Sequence, residues 1–180
     1  MASRSNKAPQ DHISFLCRDA ELFLQGSDRR YDLVVSNATL QWFDDLEGAI
    51  NRVAACLKPG GCFAASVFGP ASLGELRSGL AHVNPGREIM LPVDDFPSKD
   101  RLENILGGNF TTMAIEEWLN HRLYPDLERL FLHLRRTGTA GPGRSTPLID
   151  RPRFTALAQW FKEEIGEFRL TYQIFLVRAI

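Results

Sequence analysis

Between Tyr31 and Phe68 the chain changes its hydrophobic period twice. "YDLVVSN" (31–37) is a nearly unbroken apolar run, β-branched at Val34 and Val35. Such continuity predicts a strand buried on both faces, as in a parallel sheet. Leu46, Ile50, Val53 and Leu57 then recur at i, i+4, i+7 and i+11, which is one apolar stripe of a helix. Asp44 and Asp45 open that helix, and Asp44 with Glu47 three residues on has the spacing of a capping box. "KPGG" (58–61) ends it: Pro59 cannot continue the helix, and a glycine there can take the left-handed conformation. "CFAASVF" (62–68) is a further buried strand. Strand, helix and strand in this order predict an α/β fold with right-handed crossovers.

The remaining segments fit around that unit. "ISFLC" (13–17) reads as a short strand, after a polar start at 1–12. A helix is expected near 72–80, and residues 81–97, with three prolines and no period, read as a long loop. Ser98 caps a short helix carrying Leu102, Ile105 and Leu106. A strand lies within 110–124, and Pro125 begins a helix with Leu127, Leu130, Phe131 and Leu134 inward. Residues 138–147 form a second loop. Pro152 begins a last helix with Phe154, Leu157, Phe161 and Ile165 inward, and 168–180 closes the chain as a strand. With 180 residues and no internal repeat, a single domain is expected.

Composition excludes several classes. The net charge of −1 gives no argument for nucleic acid. No apolar run approaches the roughly 18 residues of a membrane span. Cys17, Cys56 and Cys62 lack metal-ligand spacing and read as buried structural thiols. Their odd number, without a secretory signal, predicts a reducing compartment, the cytoplasm. The charge is unevenly spread. Residues 1–120 hold 11 Lys and Arg against 16 Asp and Glu, whereas residues 121–180 hold 10 against 6. The basic C-terminal part is either a solvated surface or a docking face for an acidic partner.

Three predicted strands run into residues with chemistry. The first leads to Asp19 and Ala20, the second to Ser36 and Asn37, the third to Phe68, Gly69 and Pro70. In an open parallel sheet such ends line one edge, where ligands bind. A carboxylate there can accept from an exocyclic amine, backbone carbonyls can hold an ammonium, and an aromatic such as Trp42 can close over an apolar body.

The chain resembles the class I S-adenosylmethionine-dependent methyltransferases. The strings that carry the resemblance are "FLCRDAELF", "DLVVSN…QW", the amphipathic helix and "LKPGG" before a strand. Within that superfamily it is most similar to the malonyl-acyl-carrier-protein O-methyltransferases of biotin synthesis, through "SNATLQWFDDL", "VFGPASLGELR", "YPDLERLFLHLRRTGTAG" and "RLTYQIFLVRA". It also resembles mitochondrial respiratory-complex assembly proteins of methyltransferase type. The resemblance implies a Rossmann-like sheet, mostly parallel with an antiparallel last strand, and S-adenosylmethionine as cofactor. It implies that Asp19 and Ala20 hold the adenine, that Ser36, Asn37 and Ala38 line the methionine part, and that Gln41 and Trp42 face the boundary with the substrate. Phe68 is a substrate candidate. Arg77, Arg87 and Arg144 are candidates for orienting an acceptor carboxylate, and Tyr172 for donating its hydroxyl. No catalytic base is assigned, because a malonyl carboxylate is already ionised near neutral pH. Neither metal nor histidine chemistry is assigned.

The resemblance has a gap. The family's glycine-rich first motif and the acidic residue ending its second strand have no counterpart. Residues 1–19 read as the helix that follows that second strand, so the first strand, first helix and second strand are expected to be missing. Weak cofactor binding and an uncovered sheet edge open to self-association are then expected. The expected function is carboxyl O-methylation of a malonyl-acyl-carrier protein. The alternatives are a non-catalytic assembly protein on the same fold and a methyltransferase acting on a quinone-like or other small molecule.

Overall fold

The computed structural model describes residues 13–26, 29–137 and 149–180. Its centre is a four-stranded sheet with strand β1 (Tyr31–Asn37), β2 (Leu57–Phe68), β3 (Met113–Tyr124) and β4 (Phe168–Ala179), in the order β1-β2-β4-β3. β1 and β2 are parallel, and β4 is antiparallel to both β2 and β3. The parallel pair is joined by helix α2 (Leu46–Cys56), the crossover that such a pair requires.

Local chemistry explains the main elements. The carboxylate of Asp45 accepts from Gly48 N at 2.9 Å and caps α2, one residue later than the Asp44 spacing suggests. Asp44 N and Asp45 N instead donate to Glu21 of helix α1 (Ala20–Gln25), at 3.2 and 3.0 Å. Near the start of β2, Gly60 takes φ 75°, and the pairing of β1 with β2 shifts register there. Helix α3 (Gly74–Val83) follows β2, and a 3-10 turn at Pro92–Asp95 lies inside the stretch read as loop. Ser98 Oγ accepts from Arg101 N and caps α4 (Lys99–Gly107), as its sequence implies. Helices α5 (Leu127–Arg136) and α6 (Arg151–Trp160) are capped by Asp126 and Asp150.

Two apolar clusters hold the layers. On one face of the sheet, Phe63, Ala65, Val67, Phe175 and Val177 pack against Leu46, Ile50 and Val53 of α2 and Leu102, Ile105 and Leu106 of α4. On the opposite face, Leu170 and Tyr172 pack with Leu76 and Leu80 of α3, Leu127 and Leu130 of α5 and Leu157 of α6.

Three expectations are corrected. Residues 13–17 form neither a strand nor a helix: Ile13, Phe15 and Leu16 are exposed, because among the described residues no strand lies beside them to complete a ladder. Cys17 is likewise exposed, while Cys56 is buried and Cys62 half-buried. β1 is not buried on both faces. Among the described residues it is an edge strand, and Leu33 and Val35 are 55% and 65% exposed. The 138–147 loop and the polar start lie outside the described residues.

Candidate active site

The end of β1 is tied down by β2. Ala38 has φ 50°, a left-handed conformation that a residue with a Cβ rarely adopts. Its N–H donates to Ser66 O at 2.9 Å and lies 3.1 Å from Ser66 Oγ. Ser66 Oγ in turn donates to Asn37 Oδ1 at 2.5 Å. With its oxygen held on Ser66, the Asn37 amide is left with Nδ2 as a donor directed elsewhere. Gln41, in the short 3-10 turn Leu40–Trp42, donates from Nε2 to Ala38 O at 2.8 Å. That bond fixes the amide, and its Oε1 is buried without a hydrogen-bond partner among the described residues. Trp42 packs edge-on against Phe96 at 5.0 Å and remains 39% exposed.

These residues open onto a cavity of about 390 Å³, lined by Ala38, Gln41, Trp42, Phe68, Asn120, Arg122, His133, Thr137, Tyr172 and Ile174. A neighbouring hollow of about 330 Å³ shares Ala38, Phe68 and Ile174 and adds Asn37, Ser66 and Trp118. Phe68 and Tyr172 are in ring contact at 5.7 Å, and the Tyr172 and Tyr124 hydroxyls are 3.4 Å apart. Burial, reinforced by Tyr124, pushes the Tyr172 hydroxyl well above the usual tyrosine value, against the pull of Arg122. Tyr124 is raised too, chiefly by burial. Both are neutral donors at neutral pH. Burial and then the Arg122 charge hold His133 below its ordinary 6.5.

The expected site residues are distributed as follows. Ala38, Gln41, Trp42, Phe68 and Tyr172 meet around the larger cavity, and Asn37 lines the smaller one. Ser36 is the penultimate residue of β1. Asp19 caps α1, its Oδ1 accepting from Leu22 N at 3.0 Å, with Ala20 the first helical residue. Their helix reaches the site's rim through Glu21 on Asp44 and Asp45. Neither Asp19 nor Ala20 lines either cavity.

Two of the three candidate arginines are placed away from both cavities. Arg77 is ion-paired with Asp94 and donates to Ile89 O at 3.2 Å, tying α3 to the Pro92–Asp95 turn. Arg87 is exposed in the turn after α3, its N–H on Asn84 O. Arg144 lies outside the described residues. Sequence reasoning missed Asn120, Arg122 and His133. The signal was the period-2 spacing of Asn120, Arg122 and Tyr124, which sets them on one face of β3. No cluster of metal-ligating side chains exists among the described residues.

Residues 1–65 match a family described as Methyltransferase domain. The chain is 30% identical over 164 residues to a malonyl-[acyl-carrier protein] O-methyltransferase of Porphyromonas gingivalis, covering 89% of this chain and 60% of that protein. A solved Bacillus halodurans structure superposes with TM-score 0.52 at 12% identity, over 90% of this chain and 68% of that one. In sequence the chain is similar to methyltransferases, and in fold to that solved structure. The same sheet is thus the Rossmann-like methyltransferase sheet, with β4 as its antiparallel strand. A further relative is the protein named arginine-hydroxylase NDUFAF5, mitochondrial, of Homo sapiens, 30% identical over 163 residues, or 86% of this chain and 47% of that protein. The chain spans about half the length of the curated relatives it matches.

Proposed function

We propose that this chain serves S-adenosylmethionine-dependent methyl transfer to the carboxylate of a malonyl group borne on acyl-carrier protein, a reaction of biotin precursor synthesis. The observation that carries this reading is the cavity where Gln41, Trp42, Phe68 and Tyr172 converge beside the end of β1. The cofactor's fit rests on Gln41, whose buried Oε1 is an acceptor in need of a donor. An ammonium or exocyclic amine satisfies it. Asn37 and Ala38 would hold the same part of the cofactor, and α1, capped by Asp19, the nucleoside side.

When bound, S-adenosylmethionine supplies a sulfonium methyl whose bonding electrons stay on sulfur, so an ionised carboxylate is methylated without a base. The chain's own task is alignment and water exclusion. Trp42 and Phe68 provide apolar walls, and Tyr172 a neutral hydroxyl. A carrier partner is supported by α5, which gives His133 to the cavity and presents Arg129, Arg135 and Arg136 outward.

The test is transfer of labelled methyl to malonyl-acyl-carrier protein, malonyl-CoA and a quinone. Preferential labelling of the malonyl carrier is expected. Labelling of the quinone alone would move the acceptor to another class, and no labelling with no calorimetric heat from S-adenosylhomocysteine would remove the activity. A second reading, an interaction or assembly protein on this fold, is favoured by the open edge of β1 and the similarity to the human mitochondrial protein. That reading predicts the silent calorimeter.

A further inference from the structure

We infer that Arg122, with Asn120 and Tyr172, forms the subsite that holds the acceptor's terminal carboxylate. The inference rests on the methyl-transfer reading above and names the residues that select its substrate. β3 and β4 pair antiparallel with Asn120 opposite Tyr172 and Arg122 opposite Leu170, so these side chains share one face of the sheet. All three polar residues line the same cavity.

The Arg122 guanidinium lies 5.7 Å from the centre of the Tyr124 ring, and no carboxylate among the described residues pairs with it. A guanidinium resting on an aromatic face keeps its N–H fork free for an anion. The Tyr124–Tyr172 contact adds to it. Two hydroxyls in contact share one hydrogen, which leaves the second free to donate. The Asn120 amide supplies a further donor. Among the described lining residues Arg122 is the one permanent charge, which matches a single carboxylate.

Arg77, already held by Asp94, offers no such fork. A terminal carboxylate gripped by charge-assisted bonds distinguishes a malonyl group from an acetyl group, which has only a methyl at that position.

The experiment compares binding of malonyl-pantetheine and acetyl-pantetheine to the full chain by calorimetry, for the wild type, Arg122→Gln and Arg122→Lys. Thermal melts confirm that each variant folds. The wild type should prefer the malonyl thioester by about tenfold or more. Arg122→Gln should abolish the preference, Arg122→Lys should restore part of it, and affinity for S-adenosylhomocysteine should be the same in all three. Equal binding of the two thioesters by the wild type, or a preference that survives in Arg122→Gln, overturns the assignment. If malonyl-carrier protein is methylated with an unchanged KM in Arg122→Gln, the subsite fails and the methyl-transfer reading stands. If Arg122 sets the malonyl preference but no methyl is transferred, the subsite stands and the activity fails.

Discussion

Ser66 is the residue on which the turn after β1 depends. Its hydroxyl and carbonyl hold Ala38 in a left-handed conformation, and its hydroxyl orients the Asn37 amide. Ser66→Ala removes a hydrogen bond worth about 1 kcal/mol. It should weaken S-adenosylhomocysteine binding several-fold by calorimetry, and Ser66→Thr should recover most of the loss. At the cavity's far wall, the His133 imidazole should titrate below 6.5 by NMR, because burial and the Arg122 charge both disfavour its cation. Its midpoint should rise in Arg122→Gln, where one of those causes is gone. An unchanged midpoint would separate the two side chains. Gln41, Trp42, Phe68 and Tyr172 were legible because they follow or alternate along readable strands. Arg122 was not, since β3 has no buried apolar alternation to set its face, and only α5 folding across that face makes the cavity.

Helix α3 is fastened to β4 by one carboxylate. Glu75 accepts from Thr171 N at 3.0 Å, Thr171 Oγ at 2.5 Å and Arg169 Nε at 3.4 Å. Burial pushes its carboxyl up, but these bonds together outweigh it and hold the group below its ordinary value of 4.5. A depressed acid stabilises the fold above 4.5, and the contribution is lost as pH falls through its folded value. Glu75→Gln should therefore cost about 1–3 kcal/mol at neutral pH. In thermal melts the gap from wild type should close below pH 4.5. A gap independent of pH would point to packing instead. At this scale α2 and α4 were legible because capping and period agree. Residues 13–17 were not, because a strand exists only where a neighbour offers it hydrogen bonds. The exposure of Leu33 and Val35 was hidden for the same reason: burial of a strand's face is a property of what packs on it.

At the scale of the whole molecule, one region of the sheet is uncovered among the described residues. Leu33, Val35, Leu176 and Trp118 are exposed, and one edge of β1 has no neighbour among the described strands. Apolar sheet surface beside an open edge favours association. Replacing Val35 with Lys should lower concentration-dependent association in analytical ultracentrifugation while moving thermal stability little. An unchanged association profile would place the contact elsewhere. The ligand cavities lie where this sheet, α5 and the turn after β1 meet, so the molecule's central function is readable at that junction. The most direct measurement is a backbone amide NMR titration of the full chain with S-adenosylhomocysteine. Shifts concentrated at Asn37 to Trp42 and at Phe68 are expected. Saturable shifts confined to other surfaces, or none at all, would contradict the assignment of this cleft to the cofactor.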